Sequence, residues 1–103
     1  MKFKLIFDDL IIKQLKLAAK NKQIKDLLSK ILDKIEEKGS EAGKLLDPKL
    51  SIFEIKLKHP PIRVYYKCNR SNNEIYIFEY EMKTSKEKQQ KTIEKIKKKI
   101  SKT

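Results

Sequence analysis

A single cysteine, Cys68, stands in the 103 residues, so no disulfide can close within the chain. That scarcity excludes the disulfide-stapled secreted scaffolds and predicts a reducing, cytoplasmic setting, with Cys68 as a small buried strand residue. No apolar run approaches the roughly 20 residues of a membrane span. The one early apolar stretch, Lys2–Phe7, is short and meets Asp8 and Asp9 at once, which predicts neither a secretory leader nor a membrane partner. With two glycines and no suitably spaced His or Cys, the chain offers no phosphate-cradling P-loop, dinucleotide turn, hydrolase triad or zinc spacing. These gaps set aside ordinary metabolic enzymes and predict neither a metal nor a cofactor. The one histidine, His59, lies in a His-Pro-Pro segment and reads as loop rather than as a titrating catalyst.

Acidic residues are also in short supply. Lys plus Arg number 26 against 14 Asp plus Glu, a net charge of +12. Such an excess costs self-repulsion and points to a polyanionic or acidic partner. Apolar and charged residues each make up 39%, too apolar for a disordered tail. The length predicts one domain over residues 1–103.

Periodicity supplies the elements. Lys2–Phe7 reads as a short strand. Asp8 can cap a helix over about Asp9–Lys20 with a stripe of Leu10, Ile11, Leu15 and Ala18, and Asn21 can cap the next. In that second helix Ile24, Leu27, Leu28, Ile31, Leu32 and Ile35 hold one face at a period of 3.6, and Gly39 stops it. Gly39–Lys49 is predicted to be a loop.

The period then shifts to two. Ile52–Lys58 places Phe53, Ile55 and Leu57 opposite Glu54, Lys56 and Lys58. After the Pro60–Pro61 break, Ile62–Cys68 places Ile62, Val64 and Tyr66 opposite Arg63, Tyr65 and Lys67. Asn69–Asn73 reads as a turn. Glu74–Met82 is a third strand with Tyr76, Phe78, Tyr80 and Met82 expected on one face, and Ile75, Ile77, Glu79 and Glu81 on the other. The second of these faces changes from apolar to acidic, so the strand should meet something polar at its end. Thr84-x-x-Glu87 has the form of a capping box before a final helix. That helix has a thin stripe of Ile93, Ile96 and Ile100, and the segment from Lys86 onward holds eight lysines and two glutamates. It buries little by itself and needs further support. The expected class is α+β: an N-terminal strand and helical hairpin packed on an antiparallel meander, then a C-terminal helix.

Three segments carry a resemblance to a known family: Ile52-Phe53-Glu54-Ile55-Lys56, Ile62-Arg63-Val64-Tyr65-Tyr66, and Ile77–Thr84 leading into the lysine-rich helix. In this order, within a basic chain of this length, they resemble the RelE/ParE superfamily, most closely its HigB branch. The similarity is strongest over Leu50–Lys99. The resemblance implies a RelE-like fold and the toxin of a type II toxin–antitoxin pair, a metal-independent mRNA endoribonuclease acting on or off the ribosome. It implies a cognate antitoxin and mRNA as partners.

The site expected on this reading draws its catalytic groups from Glu54, Lys56, Arg63 and Lys83, with Lys58, Tyr65, Lys67 and Lys86 as RNA-binding groups. Metal-independent cleavage turns the 2′-hydroxyl on the adjacent phosphate. It needs a base, an acid for the leaving 5′-oxygen and cations for the developing charge. Arg63 offers a planar, permanently charged fork, and preorganised charge is often the largest catalytic contribution. A lysine serves as base only where neighbouring cations depress its pKa, and Glu54, Glu79 and Glu81 are the carboxylate alternatives. Tyr65 or Tyr66 could stack a base; alternation allows one of them outward and favours core packing for Tyr66. Where better-known RelE members carry a lysine, Glu54 stands here. Where they carry a tyrosine or histidine near the final helix, this chain has Gln89, Gln90 and Lys91. Two other readings stay open: a ParE-like topoisomerase poison and a non-catalytic basic RNA-binding protein. The nearly arginine-free final helix and Arg63 favour the nuclease.

Overall fold

The structure, a computed structural model, describes residues 2–69, 71–82 and 85–101. Strand β1 (Lys4–Phe7) leads into α1 (Asp9–Ala18) and α2 (Lys22–Lys38). Both helices start as their sequence dictates: the Asp8 carboxylate accepts from the Leu10 amide and the Asn21 side chain from the Ile24 amide, each satisfying one of the donors a helix start leaves open. Gly39 ends α2 at φ 57°, and a Cβ there would stand 2.6 Å from the Phe3 ring. Both the backbone and the space require glycine.

The segment after Gly39 corrects the expected loop. A short 3-10 turn (Gly39–Glu41) is followed by strand β2 (Lys44–Asp47), which pairs antiparallel with β3 (Ile52–Lys58). Strands β4 (Pro61–Asn69) and β5 (Glu74–Met82) complete the meander, and α3 (Lys86–Ser101) follows. The five strands run in the order β1-β5-β4-β3-β2, with β1 parallel to β5 and the other pairs antiparallel. Beyond the end of β1, the exposed edge of β5 is finished by a side chain: Gln14 of α1 both donates to the Tyr80 carbonyl and accepts from the Tyr80 amide.

The sheet lies between two unequal layers. Against the α1–α2 hairpin, Ile11, Leu28, Ile31 and Ile35 pack on Ile55, Ile62, Val64, Tyr66, Ile75 and Ile77, and Cys68 is buried among them. Against α3, a smaller cluster joins Ile52, Tyr65, Phe78 and Ile96, with Ile93 and Ile100 beside it. Ile96 is fully buried, worth about 1.5–3 kcal/mol by area alone.

The support that α3 lacks in apolar surface comes from polar contacts along its length. Gln89 Nε2 donates to Glu54, the Thr92 hydroxyl to Glu81, and Lys95 pairs with Glu79 at 2.9 Å. Further on, Lys97 pairs with Asp47 at 3.0 Å and Lys99 with Asp8 at 2.9 Å. At the start of the helix, the Ser85 hydroxyl accepts from the Lys88 amide. Capping therefore falls at Ser85, whereas Thr84 of the expected capping box lies outside the described residues.

The face assignment of β5 needs a second correction. Tyr65 pairs with Glu79 and Tyr66 with Ile77, so Phe78 is an extra residue on β5. A bulge of this kind breaks simple alternation. Ile75 and Ile77, then Tyr80 and Met82, pack on the helical hairpin, whereas Tyr76 and Phe78 pack on the α3 side. Glu79 and Glu81 contact α3 and are buried. Among the described residues, no helix is long and apolar enough to cross a membrane.

Candidate active site

Lys56 and Arg63 are direct cross-strand partners in the β3–β4 ladder. Side chains opposite each other on antiparallel strands leave on the same face, with Cβ atoms about 4.5–5.5 Å apart. Glu54 lies two residues before Lys56 and shares that face. Arg63 Nη1 approaches Glu54 Oε2 at 3.3 Å, and Gln89 Nε2 donates to the same oxygen at 2.7 Å. Glu54 is nearly buried, with 6% of its side chain exposed, whereas Arg63 keeps 18% and Lys56 is exposed. The carboxylate is thus held on one oxygen by a cation from the neighbouring strand and an amide from α3.

These groups line a cleft of about 480 Å³ that also includes Lys34, Gly43 and Lys44. Its position follows from strand lengths. Strand β2 pairs with β3 from Ile52 to Glu54 only, so the β3 edge is open from Ile55 onward. The cleft runs over this open edge, taking Lys34 from α2, Lys44 from β2, Lys56 and Arg63 from the meander and Gln89 from α3. Gly43 makes the close approach of the chain possible: a Cβ there would meet the Glu54 carbonyl at 2.5 Å and the Tyr66 hydroxyl at 2.7 Å. Four cations and one carboxylate face one space. A phosphate placed there would meet preorganised positive charge from several elements.

The other expected site residues divide. Lys58 is exposed opposite Pro61 at the hairpin end, one step beyond Lys56 on the same face. Lys86 is exposed at the first residue of α3, one turn before Gln89, and is absent from the cleft wall. Lys83 lies outside the described residues. Lys67 does not join the cleft: it sits at the far end of β4, where its ammonium donates to the Leu50 carbonyl at 2.7 Å. There it lines a separate cavity of about 350 Å³ with Tyr76, Phe78 and Lys99.

Tyr65 is also corrected. It has the outward direction expected of the β4 pattern, but α3 covers that face, so the ring is fully buried between Ile52, Phe78 and Ile96. Its hydroxyl donates to Glu81 Oε2 at 3.3 Å. Burial, followed by the Glu81 charge, pushes its pKa well above the ordinary tyrosine value. Tyr66 packs in the main core, stacks on Phe53 with ring centres 5.4 Å apart, and donates to the Gly39 carbonyl. Neither ring can stack a base in this structure.

Of the alternative carboxylates, Glu79 and Glu81 lie under α3 and are absent from the cleft wall. Burial, then the Glu79 charge, raises the pKa of Glu81 above the ordinary carboxylate value. Sequence reasoning missed Lys34, Lys44 and Gln89 as cleft residues. Lys34 lies on the polar face of α2 among other lysines, and Lys44 in a segment whose glycines and proline predict a loop, so neither carries a local signal. Among the described residues, no cluster of three or more His, Cys, Asp or Glu could hold a metal ion.

No family model matches the chain, and no curated protein sequence does. Its fold, however, matches solved structures. The isolated E. coli RelE toxin is 21% identical, with a TM-score of 0.68 over 91% of this chain and 98% of that one. A double-arginine mutant of E. coli RelE in the free state is also 21% identical, with a TM-score of 0.71 over 93% and 99%. The intact E. coli RelBE toxin–antitoxin complex is 20% identical, with a TM-score of 0.67 over 81% and 99%. The chain has the fold of the RelE toxins.

Proposed function

We propose that this chain is the toxin of a type II toxin–antitoxin pair and cleaves mRNA in the cytoplasm without a metal, within the cleft between Glu54, Lys56 and Arg63. The observation that carries this reading is the shared cleft: two cross-strand cations beside a carboxylate held at 3.3 Å from one of them. The fold of the RelE toxins supports it. So does the antitoxin bound to RelE in the neighbouring complexes, which favours a cognate antitoxin for this chain. The finer HigB resemblance rests on the Leu50–Lys99 sequence.

The chemistry assigns roles to these groups, two of them to Lys56. The Glu54 carboxylate takes the proton of the 2′-hydroxyl as that oxygen bonds to phosphorus. Arg63 and Lys56 neutralise the charge that gathers on the phosphoryl oxygens. As the bond from phosphorus to the 5′-oxygen breaks, the Lys56 ammonium gives that oxygen a proton. The products are a 2′,3′-cyclic phosphate and a 5′-hydroxyl. Gln89 positions Glu54.

Brief expression in cells, with growth scored and mRNA 5′ ends mapped, tests the function. New 5′ ends within coding regions, together with growth arrest, are expected. Arrest with DNA damage and intact mRNA would instead indicate a topoisomerase poison, and neither effect would leave a non-catalytic basic RNA-binding protein.

A further inference from the structure

The cleft holds more positive charge than one scissile phosphate needs: Lys44, as the cross-strand partner of Glu54, shares the face of Lys56 and Arg63, and Lys34 reaches the cleft from the hairpin. Lys56 and Arg63 stand on the α3 side, and the cross-strand geometry gives them a common target. Lys34 comes from the helical hairpin and Lys44 from the first residue of β2. Lys44 is the β2 partner of Glu54, two residues from Lys56 along β3, so strand geometry sets the Lys44 and Lys56 backbones about 8 Å apart.

The contrast with α3 is informative. Lys95, Lys97 and Lys99 are each neutralised by a carboxylate of the sheet or loops. Among the described residues, no carboxylate lies within ion-pair distance of Lys34, Lys44 or Lys56. The fold neutralises the lysines that hold α3 and leaves those of the cleft wall available.

We propose that Lys34 and Lys44 form a second phosphate subsite, so that the cleft grips two phosphates of one RNA strand laid along it. The inference rests on the nuclease reading for the role of the first subsite, but it concerns binding and can be tested without cleavage. It makes Lys34 and Lys44 binding residues that set a minimum substrate length: a dinucleotide fills only the Arg63–Lys56 side, and a longer strand engages both. The ligand chemistry is phosphodiester rather than carboxylate, because successive phosphates of one strand present regularly spaced charge to both subsites.

The test measures binding of a fluorescent, fully 2′-O-methylated RNA dodecamer, which cannot be cleaved, by anisotropy from 50 to 200 mM salt. Each phosphate contact on a single strand contributes about 0.7 to the slope of log K against log salt. Lys34→Ala with Lys44→Ala removes one of the two phosphate contacts and should lower the dodecamer slope by about 0.7, a larger fall than for a dinucleotide. Lys13→Ala with Lys16→Ala, the same charge change at exposed positions of α1, should leave the slope intact. An unaltered slope in the first pair, an equal fall in both pairs, no dodecamer binding by the wild-type chain, or binding of a polyglutamate peptide in preference to the dodecamer would each overturn the subsite. Dodecamer binding with the expected slopes, in a chain that leaves natural RNA uncut, would retain the subsite and remove the nuclease reading.

Discussion

Arg63 and Glu54 meet at 3.3 Å across the β3–β4 ladder, with the arginine at the cleft surface and the carboxylate almost wholly covered. The contact has two consequences: it aims a fixed cation at the cleft and keeps a buried negative charge compensated. Removing one partner of such a pair costs more than removing both, because the survivor stays buried without its counter-charge. Arg63→Ala should therefore destabilise the fold by about 1–3 kcal/mol, and adding Glu54→Ala should restore part of that loss. Thermal or urea unfolding of the two single variants and the double variant measures the coupling. Strict additivity would show that the pair does not interact.

Lys56 faces the same cleft without a carboxylate partner, so its loss should affect chemistry far more than folding. Loss of a charge-stabilising group in a preorganised site lowers turnover by about 10²–10³. Lys56→Ala should show a fall of that order in RNA cleavage at nearly unchanged unfolding temperature. Comparable cleavage by Lys56→Ala and wild type would take Lys56 out of the reaction.

Gln89 links α3 to Glu54. Gln89→Ala should cost about 1 kcal/mol through one lost hydrogen bond and free the Glu54 carboxylate to turn. Its signature is a changed pH profile of cleavage, recovered in Gln89→Asn only if the shorter amide still reaches Glu54. An unchanged profile would reduce Gln89 to a packing contact.

Glu81 gives the α3 interface a pH dependence. The groups facing it are Glu79, Tyr65, Thr92 and the lysines Lys88 and Lys95. Its folded pKa is raised, by burial first and the Glu79 charge second, from the ordinary carboxylate value of about 4.5. A raised carboxylate pKa means that the folded state holds the proton more tightly than the unfolded chain. The Glu81 contribution is thus most favourable below about 4.5 and is lost as pH rises through the folded value. Glu81→Gln should remove that decline, leaving stability flatter with pH above 4.5. Unfolding curves across this range check the sign, and a steeper fall in Glu81→Gln would reverse it.

Much of the fold is legible in the residues because the signals are local. Asp8 and Asn21 cap where a polar acceptor meets an apolar period, Gly39 stops α2, and the β3 and β4 alternation assigns every face correctly. The failures are non-local. Strand β2 has four residues, Lys44–Asp47, flanked by glycine and proline, and exists because β3 offers an edge to pair with. The Phe78 bulge has no sequence mark, since Phe78 and Glu79 share a face only through pairing with Tyr65. Tyr65 has the correct direction and the wrong surroundings: its face is covered by a helix whose thin apolar stripe gave little sign of docking there. The Lys56–Arg63 pairing follows from alternation and a hairpin of fixed register, whereas Lys34 and Lys44 reach the cleft from elements that only the tertiary fold brings together.

The most direct measurement is the chemistry of the ends left on RNA. Purified wild-type chain and its Arg63→Ala variant are incubated with free RNA in the presence of a chelator, and with programmed ribosomes in magnesium buffer, and the fragments are analysed for terminal groups. The cleft mechanism predicts 2′,3′-cyclic phosphate and 5′-hydroxyl ends from the wild type, their loss in Arg63→Ala, and no cut at a nucleotide carrying 2′-deoxyribose. Undiminished cutting by Arg63→Ala, cutting at the 2′-deoxy position, or no cutting by the wild type under either condition would contradict it.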